Sequence, residues 1–193
     1  MTKHPIYYDG DEFNRGGRVF KIEFPVDESH EPPWENDCGS GIVSDWTRRA
    51  KAPGERLLCE DRGGKRFYDW QETMKIAKRD GWGLRDEEKA ALASRLGRAP
   101  TRKQVIAEAV ERDFERIRQW CNDQWQYVGV VVTDLESEEC ESLWGVESDC
   151  RDYLRDVAHE LADEINARLD EIVVADIAAS RPGLAPEGEN LNT

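Results

Sequence analysis

QYVGVVVTDLESEECESLWGVESDCRDYLRDVAHELADEI, residues 126–165, changes its hydrophobic period once, and that change decides the fold class. The valine run in QYVGVVVTD (126–134) has the pattern of a buried strand. The acidic turn ESEE leads into CESLWGV (140–146), which supplies a partner strand and completes a hairpin. Beyond it the period becomes helical. Ser148 or Asp149 caps a helix over about 149–178, with Leu154, Ala158, Leu161, Ile165, Leu169 and Ile172 forming one apolar stripe.

The same signals recur upstream. IYY (6–8) and GRVFKIEF (17–24) read as strands flanking the turn-rich DGDEFNRG, the second alternating Phe20, Ile22 and Phe24 with Val19, Lys21 and Glu23. RLLCEDRGGKRFYDW (56–70) reads as two short strands joined at Gly63-Gly64, a second hairpin. Asp69 and Glu72 have capping-box spacing, which predicts a helix over 70–79 that stops before Gly81. A short helix over 86–96 ends at Gly97 and Pro100. Thr101 then caps a longer helix whose stripe is Ile106, Val110, Phe114, Ile117, Cys121 and Trp125. The expected fold is α+β, an antiparallel sheet from the two hairpins with long amphipathic helices packed on one face. Residues 1–178 are expected to form a single domain with a long Pro-, Gly- and Asp-rich loop at 25–45, mobile or functional. RPGLAPEGENLNT and its flanks, 179–193, are expected to be a disordered tail.

The chain has 193 residues, with 41 acidic against 27 basic groups and a net charge of −14. Charged residues reach 35%, against roughly 25% in an average domain. No apolar run approaches the roughly 18–20 residues of a membrane helix, and no N-terminal apolar signal core is present, so a cytoplasmic location without membrane contact is expected. An excess of negative charge argues against the whole molecule binding a nucleic-acid backbone. Residues 51–100 are mildly basic at +3, whereas residues 101–193 carry −13.

That acidity is patterned. Asp152, Asp156, Glu160, Asp163 and Asp170 lie opposite the apolar stripe of the last helix, within roughly 80° of one another, over about 27 Å of axis. Like charges four residues apart destabilise a helix by roughly 0.2–0.5 kcal/mol per pair, a cost that Arg155 relieves in part. The five are candidate partner-binding residues, set against the plainer reading of a solvated acidic face. The basic middle suggests an alternative nucleic-acid-binding surface, because Trp46, Arg48, Arg49, Lys65, Arg66 and Trp70 interleave cations with rings, as single-strand binding requires.

Catalytic signals are incomplete. His30 and Cys38 share the long loop, a pairing that leaves an enzyme of unknown class as a further alternative, but nothing in the sequence fixes their geometry. His159-Glu160 begins like a zinc-protease helix, yet Asp163 stands where the second His belongs. Cys38, Cys59, Cys121, Cys140 and Cys150 include no pair at zinc or redox spacing, and His4, His30 and His159 are scattered. No metal, no cofactor and no catalytic residue is assigned.

LLCEDRGGKRFYDWQETMKIAKRDGWG (57–83), RQWCNDQWQYVGVVVTD (118–134) and ESLWGVESDCRDYLRDVAHELADEI (141–165) together resemble a family of small phage and prophage proteins. The resemblance implies no functional residues. It implies a setting, the cytoplasm of an infected bacterium. In that setting a small acidic protein without catalytic motifs is expected to bind and inhibit a host nucleic-acid-handling or defence protein, by nucleic-acid mimicry of the anti-restriction or anti-CRISPR kind. The implied partner is a host protein with a basic, nucleic-acid-binding surface.

Overall fold

The computed structural model describes residues 6–35 and 39–179. The fold is α+β, with six strands in antiparallel sheets and four helices. The chain divides into two compact units, residues 1–27 with 127–193 and residues 28–126. Each unit has its own sheet and its own core.

The first unit holds β1 (Glu12–Arg15), β2 (Arg18–Glu23), β5 (Tyr127–Asp134), β6 (Cys140–Glu147) and α4 (Arg151–Ala179). Its sheet runs β1-β2-β5-β6 and is antiparallel throughout. Two expectations are corrected here. Strand β1 lies inside DGDEFNRG rather than at 6–8, because Gly16 and Gly17, at φ 59° and 85°, supply the positive dihedrals of a two-residue hairpin turn. The 55–69 hairpin also does not join this sheet. Instead β2 pairs with β5, setting Ile22 opposite Val132, so that Phe20 and Ile22 share a buried face with Val130 and Val132.

Helix α4 covers that face. Leu154, Val157, Ala158, Leu161, Ala162 and Ile165 pack on Phe13, Phe20, Ile22, Val128, Val130, Val132 and Val146. Leu169 is partly buried, but Ile172, the last member of the expected stripe, is exposed. The helix has run past the end of the sheet. Arg15 and Arg18 of the β1–β2 turn meet α4 at Asp163 and Asp170, and Arg168 meets Glu139 and Glu141 at the start of β6. Both hairpin ends are therefore reached by residue 170, and nine further residues extend beyond them, about 13 Å of helix. The expected tail starts at 179, and its residues 180–193 lie outside the described residues.

The second unit holds β3 (Glu55–Asp61), β4 (Gly64–Asp69), α1 (Trp70–Asp80), α2 (Asp86–Leu96) and α3 (Arg102–Cys121). The caps are those the spacing predicts. Asp69 accepts from the Glu72 amide at 2.9 Å, Thr101 and Gln104 form a capping box, and Gly81 and Gly97 end α1 and α2 in the left-handed region. Leu58, Cys59, Tyr68, Ala77, Ile106, Val110, Phe114 and Ile117 make the core. Trp125 lies past the end of α3, where its indole donates to the Arg116 carbonyl at 2.9 Å.

The described part of the 25–45 loop is tied down from several sides. Asp27 donates to Tyr127 within the first unit. In the second, the Gly41 amide donates to Asp113 at 2.9 Å, the Ile42 amide to Thr73 Oγ1 at 3.0 Å, and the Ser44 amide to the Phe67 carbonyl at 2.8 Å. Val43 and Thr47 bridge to Tyr68 and Lys65, so the segment follows the edge of β4. Loop composition here disguises specific backbone bonds at Asp27, Gly41, Ile42 and Ser44.

Candidate functional site

The five aligned carboxylates of α4 are exposed, but most are engaged. Arg155 spans Asp152 and Asp156 at 2.9 and 2.6 Å. Arg15 forks onto Asp163 at 2.8 and 2.6 Å, and Arg18 reaches Asp170 at 3.3 Å. The guanidinium of Arg15 holds the Asp163 carboxyl below its ordinary range, a direct consequence of a bidentate charge-assisted contact. Arg155 supplies the partial relief expected at Asp152 and Asp156, and Arg15 and Arg18 add compensation at Asp163 and Asp170. Three arginines stand among the five carboxylates, two of them brought by a hairpin distant in sequence. Glu160, with Glu164 and Glu171 further along the helix, has no ion pair among the described residues.

The distribution of charge over the units is sharper than that along the sequence. Residues 1–27 and 127–193 contain 8 basic and 22 acidic groups, giving −14, whereas residues 28–126 contain 19 of each. The whole net charge of the protein therefore belongs to the unit that carries α4.

The basic-aromatic middle is an internal lattice in the second unit. Arg66 lies 4.6 Å from the Trp34 ring and 5.3 Å from the Trp46 ring. Arg49 stacks 5.0 Å from Phe67 and is paired with Glu55. Lys65 pairs with Glu60 at 3.1 Å, and Arg48 donates to the Gly63 carbonyl at 3.1 Å. Trp70 packs against the core beneath Arg56, which sits 3.4 Å from its ring and pairs with Glu111. Of the six candidate residues, only Trp46 offers a largely exposed ring, while Phe67 and Tyr68 are buried. Cations spent on rings and carboxylates within the unit leave little free charge for a phosphate backbone.

One polar group was missed from the sequence. Asp113 of α3 accepts from the Tyr68 hydroxyl at 2.6 Å and from the Gly41 amide at 2.9 Å. Burial raises the Asp113 carboxyl against these two bonds, which pull it down, and burial also pushes the Tyr68 phenol up, so that it remains a donor. A Cβ on Gly41 would come within 2.3 Å of the Tyr68 oxygen, so only glycine brings its amide this close. The signal was available: Asp113 interrupts the flank of the stripe made by Ala109, Val110, Phe114 and Ile117. Asp113 also borders a surface cavity of about 450 Å³, with Trp82, Arg85, Glu88 and Arg112 on its wall. Both arginines there bind Glu88, at 3.2 and 2.8 Å.

Other chemistry is sparse. His30 Nδ1 contacts the Glu31 carbonyl at 2.9 Å, and Cys38 lies outside the described residues. His159 meets the Tyr7 hydroxyl at 2.9 Å and rings of Tyr7 and Phe13, and burial lowers its pKa, which suits a packed neutral imidazole. Glu147, Asp149 and Cys150 bring three ligand atoms within 4.8 Å, a mixed hard and soft donor set at the surface. No helix among the described residues is long and apolar enough to cross a membrane. Comparison with known protein families, with curated proteins and with solved structures returns no match.

Proposed function

We propose that this is a non-catalytic acidic binding protein that presents α4 to a basic surface of another protein. The setting proposed for it, from its resemblance to small phage and prophage proteins, is a bacterial host, where the partner is a nucleic-acid-handling or defence protein that the acidic helix inhibits by occupying its basic site. The observation that carries this reading is the confinement of the entire −14 charge to one unit, with Glu160, Glu164 and Glu171 left uncompensated along one helix. A field of one sign on a compact body steers a cationic partner and makes association fast and salt-sensitive. The nucleic-acid-binding alternative has less support, since the second unit is electrically balanced and the candidate cations Arg48, Arg49, Lys65 and Arg66 are engaged by a carbonyl, carboxylates or rings within it.

The test must spare the arginine contacts, because neutralising Asp156 removes one of the two partners of Arg155 and neutralising Asp163 leaves Arg15 without its own. Glu160→Gln, Glu164→Gln and Glu171→Gln combined removes only uncompensated charge. Affinity capture from a bacterial lysate, with nuclease and at low and high salt, should recover a protein partner that the triple variant retains poorly, mainly through a slower on-rate. Recovery that vanishes with nuclease, or equal retention by the triple variant, would overturn the proposal.

A further inference from the structure

Two cysteines that stand far apart in sequence meet in the core of the second unit. Strand β3 carries a bulge at Leu58, which turns the consecutive side chains of Leu58 and Cys59 toward the core. Helix α3 ends at Cys121, the last helical member of its apolar stripe, and Cys121 packs half-buried against the same core. The next residue fixes the approach. Asn122 Nδ2 donates to the Leu58 carbonyl at 3.0 Å and to the Arg118 carbonyl at 2.6 Å, which ties the end of α3 to β3 beside the two thiols. The Cys59 and Cys121 thiols interact directly, and both lie in the field of Arg66, the residue paired with Cys59 across the hairpin.

The setting separates this pair from the other described thiols. Cys140 and Cys150 are exposed and flank the 8-residue strand β6, roughly 20–25 Å long and so beyond disulfide reach of each other. A bond between residues 59 and 121 encloses about 60 residues, and β4, α1, α2 and α3 all lie in that loop. Closing so long a loop restricts the unfolded chain far more than the native one. Oxidation would therefore act on stability and leave the fold in place.

We propose that Cys59 and Cys121 are a reversible dithiol–disulfide pair, oxidised by small-molecule disulfides, that clasps the end of α3 to β3. The half-buried Cys121 gives up its proton to solvent, and its thiolate attacks the small disulfide, forming a mixed disulfide and releasing one small thiolate. Cys59 then loses its proton and attacks Cys121 Sγ, forming the protein disulfide and expelling the second small thiolate. Two protein thiols are oxidised, one small disulfide is reduced, and the two protons end on the two small thiols released. Burial pushes both protein thiols up, that of Cys121 to about 12, while Arg66 pulls them down, so exchange is slow at neutral pH and quickens as pH rises. The pair lies in the second unit and acts independently of the acidic face of α4.

The reduced full chain, incubated at pH 8 with oxidised and reduced glutathione at several ratios, quenched with acid and mapped as non-reduced peptides, tests this. The main protein cross-link should join the Cys59 and Cys121 peptides, form without denaturant and with unchanged circular dichroism, and disappear with excess dithiothreitol. The oxidised chain should unfold at about 1–2 M higher urea than the reduced chain, read by hydrogen exchange of peptides from α1 and α3. Cys121→Ser should lose both the cross-link and the shift. A pair that stays reduced at the most oxidising ratio, or glutathione that remains on Cys121 without closure, overturns the proposal. Closure only in urea that unfolds the unit, or a cross-link that leaves the urea midpoint unmoved, overturns it equally.

Discussion

Ile165→Ala and Ile172→Ala differ by seven residues on one helix stripe and should differ by several kcal/mol in effect. Ile165 is fully buried among the sheet residues of the first unit, whereas Ile172 stands beyond the sheet. Truncating Ile165 removes three carbons, about 2.4 kcal/mol at about 0.8 per buried methylene. A residual cavity of about 60 Å³ at about 24 cal/mol per Å³ adds about 1.4 kcal/mol. The total is about 3–4 kcal/mol, within the range observed for buried Ile truncations. At Ile172 nothing is unpacked and Ala is the better helix former, so the change should stay within about 0.5 kcal/mol of wild type. Urea unfolding followed by hydrogen exchange of peptides from β5 and α4 reads the first unit alone. With a slope of about 2 kcal/mol per molar urea, Ile165→Ala should lower the midpoint by about 1.5–2 M and Ile172→Ala by less than about 0.3 M. Equal shifts in the two variants would refute the claim that α4 outruns its sheet.

Two further expectations concern the second unit. Because burial raises the Asp113 carboxyl above its unfolded value, the folded state binds that proton more tightly, so the group's contribution is greatest below the unfolded pKa and is lost as pH rises through the folded one. Asp113→Asn keeps an acceptor for Tyr68 and Gly41 and should flatten that pH dependence while matching or exceeding wild-type stability at neutral pH. Asp113→Ala orphans both donors and should cost about 1–3 kcal/mol per unsatisfied group. Urea midpoints from acid to neutral pH check this, and an Asn variant as weak as the Ala variant would contradict it. Native alkylation with iodoacetamide should modify the exposed Cys140 and Cys150 and spare Cys59 and Cys121, whose thiols burial pushes up, that of Cys121 to about 12. Peptide mapping before and after denaturation decides it, and Cys121 reacting as fast as Cys140 would show the core of the second unit to be open.

Sequence alone determined the elements whose cause is local. The caps at Asp69 and Thr101, the stops at Gly81 and Gly97, the hairpin at 135–139, the hairpin read at Gly63-Gly64 (its turn lies one residue earlier, at Arg62-Gly63), and the stripes of α3 and α4 all follow from neighbours within four residues, where spacing and chemistry are one fact. The Gly16-Gly17 turn is equally local in origin, two adjacent glycines at positive φ between β1 and β2. What only the tertiary structure decided is pairing between distant segments. Strand periodicity names a buried face but not its neighbour, so nothing local sends β2 to β5 and leaves β3 and β4 as a separate sheet. The candidate site divides in the same way. The alignment of Asp152, Asp156, Glu160, Asp163 and Asp170 is helix geometry, readable from spacing, whereas Arg15 and Arg18 reach α4 from about 150 residues away and change its electrostatics. Where α4 outlasts its sheet depends on the lengths of strands that the helix itself does not encode, and for that reason stripe periodicity places Ile172 in the core while the structure leaves it exposed.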